Sequence, residues 1–208
     1  MSEKSSALDN LIRAEKELLD TYQKHLPNRP VGYRHFYLCG AARRALAQSR
    51  AFKSCVEDKN GLVALAILRL QLDTVLRLYA LYWVADPEKF AQEVFDGKQI
   101  DRIKDERGNL MKDRYLIDRL LSRNPWVESV YKNTSGLIHF SHRHMRAAIH
   151  TKDASKGLFE IFIGPNDPSH EFGDFEEMVA AFFHTTAMIN VAADDWFSRV
   201  DPNPVNAS

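Results

Sequence analysis

The sequence lacks an excess of charge of either sign, because 28 lysine and arginine residues balance 28 aspartate and glutamate residues over 208 positions. No global basic field attracts nucleic acid, although a local basic patch would still do so. A hydrophobic content of 45% with 27% charged residues is ordinary for a globular protein and excludes disorder for most of the length. The length fits one domain with a sizeable core.

Cysteines and long uncharged apolar runs are also scarce. Cys39 and Cys55 are predicted to lie on one helix, about 24 Å apart, which is too far for a disulfide. The first ten residues contain no apolar signal region, and no uncharged stretch of about 20 residues follows. Free thiols agree with a reducing compartment. We therefore expect a cytoplasmic protein with no membrane partner.

The stretch from Leu62 to Val84 is apolar on nearly every side, which predicts a central helix surrounded by other helices. Charges in its middle exclude a membrane span, since each costs about 2.5 to 3.5 kcal/mol at a bilayer centre. Arg69, Asp73 and Arg77 are spaced i, i+4, i+8 and form one line along this helix, called the charged stripe below. The stripe is either a salt-bridge ladder between helices or one wall of a polar ligand pocket.

Helical spacing recurs along most of the chain. We predict an all-α fold, a bundle of about five to seven helices with a small β-hairpin at about 145–163 inserted before the C-terminal helix. The hairpin is inferred from two β-prone runs, Met145–Thr151 and Leu158–Ile163, separated by turn residues. Residues 1–200 form a single domain in this prediction, and residues 201–208 form a disordered tail.

Two further segments are rich in charged residues. The charge-dense segment 98–112 predicts a solvated helix or a mobile connection. A second helix, at about 32–58, has a basic face that is either solvated or contacts nucleic acid or an acidic partner. The basic residues of that face are Arg34, Arg43, Arg44, Arg50 and Lys53.

Histidines are concentrated in one segment, which first suggests a metal site. Four of the eight histidines fall within twelve residues, at His139, His142, His144 and His150. Their HxxHxH spacing matches no metal-ligand geometry, and the sequence contains no CxxC or HExxH. Arg143 and Arg146 lie between them and would repel a cation. We therefore expect no metal and no other cofactor.

A hydroxyl and an imidazole are predicted to lie near the charged stripe. Tyr131, Ser135 and His139 share one face of a predicted helix that runs from Trp126 to about Ile138. If this face meets the stripe, the site would bind an anion or phosphate, with arginine as the clamp and His139 as acid or base. The alternative is a buried structural network in which His139 donates a hydrogen bond to Asp73.

The order of these elements resembles a group of uncharacterised bacterial helical proteins over roughly residues 63–196. The shared pattern is a long helix with spaced charges, a helix ending in Tyr131, Ser135 and His139, a small insertion and a last amphipathic helix. Those proteins are themselves similar to the HEPN superfamily, whose members include RNA-cleaving toxins and antiphage abortive-infection proteins. The resemblance implies a role in stress or phage defence.

The HEPN nuclease motif is an arginine, a polar residue and then a histidine after four to six intervening positions. Arg143, His144 and His150 satisfy this motif with six intervening positions. The family carries it on a helix, whereas on the predicted strand Arg143 and His150 face opposite sides and lie about 23 Å apart, too far to share one phosphate. A helical segment would bring the two residues onto one face and would favour a nuclease.

Two functions are therefore predicted. The leading one is a bacterial binding or interaction module whose partner is a protein or a small anionic ligand, with the ligand-binding candidates Arg69, Asp73, Arg77, Tyr131, Ser135 and His139. The alternative is a metal-independent ribonuclease acting on RNA, with the catalytic candidates His139, Arg143 and His150. HEPN-like proteins often dimerise, and an aromatic group at one helix end would serve either a homodimer interface or the core. That group is Tyr79, Tyr82 and Trp83.

Overall fold

The protein is a bundle of α-helices from which one β-hairpin extends. The structure is a computed structural model that describes residues 7–164 and 175–202. Within those ranges there are eight α-helices, one more than the upper limit predicted. They are α1 (Ala7–His25), α2 (Tyr33–Glu57), α3 (Gly61–Ala80), α4 (Pro87–Phe95), α5 (Asp113–Leu121), α6 (Trp126–Thr134), α7 (His142–Ala147) and α8 (Glu176–Asp195). The predicted all-α fold is confirmed.

The hairpin also lies where the sequence predicts it, between the bundle and the C-terminal helix. Its strands are β1 (Ile149–Asp153) and β2 (Leu158–Ile161), which pair antiparallel with Ile149 opposite Ile161. The predicted first strand begins too early, because residues 145–147 belong to α7. Ser141 begins that helix by accepting a hydrogen bond from the Arg143 amide, while the Ser141 amide donates to His144.

The central helix predicted from Leu62 is α3, which continues after Ala80 as a 3-10 turn, Leu81–Trp83. The Asn60 side chain begins the helix by accepting a hydrogen bond from the Val63 amide at 3.1 Å. Most of its apolar side chains are wholly or partly buried, and Leu72 is fully buried in the core where α3 packs against α2 and α8. Burial of each such leucine stabilises the fold by about 1.5 to 3 kcal/mol. No helix in the described ranges is both long enough and apolar enough to traverse a bilayer.

Segment 98–112 is not the solvated helix that was one of the two predicted alternatives, and its conformation is defined by hydrogen bonds. A short 3-10 turn, Ile100–Arg102, is followed by a bridge between Lys104 and Leu110. The Asp105 carboxylate lies inside the loop closed by this bridge and is fully buried. It accepts hydrogen bonds from the Arg107 amide at 3.0 Å and the Asn109 amide at 2.8 Å. A buried charge with several donors gives the charged segment a fixed conformation, which composition alone does not reveal.

Helix α5 supplies the remaining partners of Asp105. The Tyr115 hydroxyl donates to its carboxylate, and the Arg119 guanidinium donates at 3.0 Å while stacking over the Trp83 ring at 4.4 Å. Burial alone raises the pKa of the Asp105 carboxyl, but the hydrogen bonds from Tyr115 and the backbone amides and the charge of Arg119 hold that pKa below its ordinary value. We call this group of residues the Asp105 cluster.

The aromatic group at the end of α3 is packed within the chain. The Tyr82 hydroxyl donates to the Ala192 carbonyl, and the Tyr82 ring meets Trp196 edge to face at 5.1 Å. Tyr79 and Trp83 are half-buried against the same core. These contacts place the three rings against the core, which is one of the two predicted alternatives. A homodimer interface through these rings stays a prediction.

Asp201, placed in the disordered tail by the sequence, is bound by three residues near the start of α2. Its carboxylate lies 2.9 Å from the Arg34 Nε, 3.1 Å from Arg29 and 2.8 Å from the His35 imidazole. Burial raises the pKa of the Asp201 carboxyl, but the hydrogen bond from Arg34 and the neighbouring positive charges lower it overall. Asp201 is therefore packed against the rest of the helical domain. Residues 203–208 lie outside the described ranges, and their disorder stays a prediction.

The stability of this C-terminal contact is expected to depend on pH through His35. Burial lowers the pKa of the His35 imidazole, with help from the charges of Arg29 and Arg34 and against the charge of Asp201. The neutral ring therefore stabilises the fold above the ordinary pKa of about 6.5, and this contribution is lost as the pH falls below that value. We expect His35→Gln to lower the Tm most at pH 8 and progressively less towards pH 5. A difference in Tm that stays constant over this range would contradict the role of His35.

Candidate functional site

The charged stripe on α3 forms a network of ion pairs with two residues from other helices. The Arg77 guanidinium donates to Asp73 at 3.1 Å and also to Asp113 at the start of α5. Arg44 of α2 lies 3.2 Å from the other Asp73 oxygen. Arg69 donates to Asp113 at 2.9 Å. The five charges alternate in sign and join α2, α3 and α5, so this geometry is that of a ladder.

Arg69 is the most deeply buried member of the ladder, with 6% of its side chain exposed. Its guanidinium carbon lies 4.8 Å from the centre of the Tyr131 ring, so α6 covers this end of the stripe as the sequence suggested. Among the described residues, the Arg69 Nε and one terminal nitrogen have no hydrogen-bond partner. Asp113 is therefore the carboxylate that compensates this buried charge.

Ser135 and His139 do not join the stripe. Helix α6 ends at Thr134, four residues before the predicted end, and Ser135 follows as its exposed C-cap. His139 lies beyond the helix and is exposed. The predicted helical face therefore contributes Tyr131 only, and Asp73 is bound by arginines rather than by His139.

The residues of the nuclease motif lie on two different elements. Arg143 and His144 belong to α7, whereas His150 lies in β1 opposite Glu160. The Arg143 guanidinium donates to the carbonyl oxygens of Lys132, at 3.1 Å, and Asn133, so it binds the C-terminal end of α6. The motif is thus not carried on a single helix, and its arginine has a structural partner.

The end of the ladder opposite Arg69, formed by Arg44 and Arg77, borders a groove between α2 and α4, called the α2/α4 groove below. Its volume is about 280 Å³, and its walls are mainly apolar. Three aromatic rings lie at the end nearest the start of α2, with Tyr33 and Phe95 at 5.3 Å between ring centres and Phe36 at 6.4 Å from Phe95. Phe95 is 67% exposed and Phe36 is 49% exposed, which is unusual for phenylalanine in a folded protein.

Arginine side chains lie at the opposite end of the α2/α4 groove. Arg44 is about 12 Å further along the axis of α2 than Phe36, and Arg77 lines the groove beside it. Arg77 is held by Asp73, Asp113 and the Met111 carbonyl. Among the described residues Arg44 pairs with one carboxylate, that of Asp73, and 44% of its side chain is exposed. It can therefore donate hydrogen bonds to a ligand without leaving the ladder.

Small residues keep the middle of the groove open. Gly40 and Ala41 line it on the α2 side. A side chain added at Gly40 would meet no described atom within 4 Å at its β-carbon. The groove therefore has an apolar end, an open middle and a cationic end, an arrangement suited to a small ligand that carries an aromatic ring and an anionic group.

A larger groove between α1 and α8, of about 680 Å³, is less suited to a ligand site. Two of its four carboxylates already have partners, because Asp194 binds His25 at 3.0 Å and Asp195 pairs with Arg199. In residues 7–164 and 175–202, no three histidine, cysteine, aspartate or glutamate side chains come together in a way that would hold a metal ion.

Asp113, Arg44 and the exposed aromatic rings were missed as site residues from the sequence. Asp113 follows the charge-dense segment 98–112 and has no distinguishing spacing, and Arg44 is one of five basic residues on its helix. Nothing in the spacing shows that both meet Asp73 or Arg77, because these contacts join separate helices. Comparison with known proteins adds no assignment, since the chain matches no family model, no curated protein and no solved structure.

Proposed function

We propose that the protein is a non-catalytic binding module and that the α2/α4 groove holds its ligand. The observation that supports this most directly is the pairing of exposed Phe36 and Phe95 with the half-exposed guanidinium of Arg44 in one cavity. The fixed partners of the charged stripe support binding rather than chemistry, because its two arginines are compensated by Asp73 of the stripe and Asp113 of α5. A groove of this volume fits a ligand with a single aromatic ring.

The biological role is proposed from the resemblance to uncharacterised bacterial helical proteins. A bacterial module in stress or phage defence is proposed on that resemblance alone, and a protein partner is an alternative occupant. A cytoplasmic location is supported by Cys39 and Cys55, which both lie on α2 and are free thiols. Burial raises the pKa of both thiols, so neither has the low pKa of a catalytic cysteine.

Ligand binding can be tested with 4-phenylbutyrate and its uncharged analogue 4-phenylbutanol by isothermal titration calorimetry. We expect the carboxylate to bind more tightly, because Arg44 donates charge-assisted hydrogen bonds at the far end of the groove. Arg44→Gln should weaken carboxylate binding by roughly tenfold or more and leave alcohol binding unchanged. Arg43→Gln, at the exposed neighbouring position outside the groove, is the matched control and should leave both affinities unchanged.

A second variant fills the groove instead of removing its charge. Gly40→Leu places a side chain into open space, and replacing glycine inside a helix stabilises it by up to about 1 kcal/mol. We expect this variant to abolish binding of both ligands while its Tm is unchanged or higher. Full binding by a folded Gly40→Leu variant would place the ligand elsewhere and overturn the assignment of the groove.

The ribonuclease alternative is favoured by one observation, the exposed basic surface of α7 and its surroundings. His139 and Arg146 are exposed, and Phe140 beside them is 85% exposed. The decisive measurement is cleavage of labelled RNA in EDTA by the wild type, His139→Ala and His150→Ala. We expect no cleavage. Cleavage that either substitution abolishes would replace the binding module by a metal-independent ribonuclease.

A further inference from the structure

Exposed apolar side chains are concentrated on the β-hairpin. Along β2 and just beyond it, Phe159 is 62% exposed, Ile161 is 67% exposed and Ile163 is 94% exposed. Ile149 of β1, opposite Ile161, is 49% exposed. Alternate residues of a strand share a face, so these four side chains lie on one face of the hairpin. An isolated two-stranded hairpin is only marginally stable, so pairing with a further strand would stabilise this one.

The backbone groups of β2 show where a further strand can pair. The Phe162 amide donates to the Ala148 carbonyl at 3.0 Å, which makes those two residues a hydrogen-bonded pair. Such pairs alternate along an antiparallel ladder, so Glu160 also points its backbone groups towards β1. The backbone N–H and C=O groups of Phe159, Ile161 and Ile163 therefore point away from β1. In the described part of the chain, β2 has β1 as its sole strand partner.

The outer edge of β2 is unusual in its side chains. Natural edge strands are protected by lysine, proline or inward-pointing charges, and the outward-paired positions of β2 carry phenylalanine and isoleucine instead. The edge of β1 is less suited to self-pairing. An antiparallel pair of β1 strands centred on Thr151 would set the imidazole of His150 against the ammonium group of Lys152 of the other copy, a pair without the apolar cross-strand contact that stabilises a sheet.

We propose that β2 is a homotypic interaction surface, at which two copies of this chain pair antiparallel about a two-fold axis through Ile161. In that register Ile161 faces its own copy and Phe159 faces Ile163 of the second copy, once on each side of the axis. The outward backbone groups of all three residues then meet as hydrogen-bonded pairs. Glu160 faces Phe162 rather than another carboxylate, and it keeps its contact with Lys152 at 3.0 Å.

This pairing converts two hairpins into one four-stranded sheet. The aromatic and β-branched side chains become cross-strand pairs, which are the stabilising units of a sheet. Each copy contributes only one short strand and the residues just beyond it, compared with roughly 20 to 30 residues a side in a stable complex, so the dimer is weak and depends on concentration. A chain without net charge does not oppose such self-association.

Sedimentation velocity over a concentration series tests the proposal. We expect the wild type to pass from monomer to dimer as its concentration rises. Ile161→Lys sets two lysines opposite each other on the axis and should raise the dimer dissociation constant at least about tenfold. Ile149→Lys introduces the same charge on the same face but away from the edge of β2, and the proposal predicts that it leaves the dimer intact. Loss of the dimer in both variants would indicate face-to-face packing and overturn the edge pairing.

Cross-linking tests the register itself. In a Cys39→Ser, Cys55→Ser background, Ile161→Cys brings two thiols onto the axis with Cα atoms about 5.5 Å apart, within disulfide range. Glu160→Cys leaves its Cα atoms about 8 Å apart, beyond that range. We expect oxidation to link the first variant and not the second. A wild type that stays monomeric at every concentration, or an Ile161→Cys variant that does not link, would exclude a second copy as the occupant of this edge.

Discussion

Replacing Asp105 by alanine is expected to lower the free energy of unfolding by about 3 to 5 kcal/mol, because it leaves buried donors without their acceptor. The carboxylate is fully buried and accepts from two backbone amides, Tyr115 and Arg119. For a chain of this length the loss corresponds to a decrease in Tm of roughly 10 °C. Thermal unfolding followed by circular dichroism measures it directly.

The matched control is Asp101→Ala, at an exposed position in the same segment. It should leave the Tm unchanged. The pKa of the Asp105 carboxyl is lowered in the folded protein, so its contribution is present above the ordinary carboxyl pKa of about 4 and is lost as the pH falls through the folded value. The two aspartate variants should therefore differ less in Tm at pH 3 than at pH 7. A small effect of Asp105→Ala at neutral pH would show that the segment is not organised by this carboxylate.

Replacing Asp113 by alanine is the second substitution with a large expected effect. Asp113 is the carboxylate shared by Arg69 and Arg77, and Arg69 is buried. Removing one partner of a buried ion pair leaves an uncompensated charge and costs about 3 to 5 kcal/mol. Urea denaturation should show this decrease in the free energy of unfolding with little change in the slope of the transition.

A thermodynamic cycle separates the role of the buried charge from other effects of the substitution. Arg69→Met keeps most of the side-chain volume and removes the charge, and replacing buried ions by apolar groups is often close to neutral. In this background Asp113→Ala should cost much less than in the wild type. Asp118→Ala, on the same helix in an exposed pair with Arg114, should have no measurable effect. Equal costs of Asp113→Ala in both backgrounds would contradict the pairing with Arg69.

The ladder and the α2/α4 groove share Arg44 and Arg77, so the stability of the fold and the proposed ligand binding depend on the same residues. Asp73 holds Arg44 at the cationic end of the groove and Arg77 beside it. A side chain positioned in this way loses less conformational freedom when a ligand binds. The ladder thus has one function in joining three helices and a proposed one in preparing the groove for an anionic group.

Several features were determined by the sequence by itself. The apolar stretch beginning at Leu62 predicted the central helix, because residues on every side of a helix are apolar only when other helices surround it. The i, i+4, i+8 spacing predicted that Arg69, Asp73 and Arg77 form one line. The two β-prone runs predicted the hairpin and its position before the last helix. These features depend on local periodicity, which a single chain segment contains in full.

Only the tertiary structure decided which charges pair and which cavity forms. Asp113 and Arg44 reach the stripe from α5 and α2, and Phe95 reaches Phe36 from α4, across separations that sequence spacing does not encode. The six-residue helix α7 is likewise attached from a distance, since Arg143 binds carbonyl oxygens at the end of α6. Short elements are too weak to form on local propensity alone and depend on such contacts. For this reason the sequence indicated the charged stripe and the apolar strand β2. The tertiary structure placed a groove beside the stripe and left β2, within the described residues, with β1 as its one strand partner.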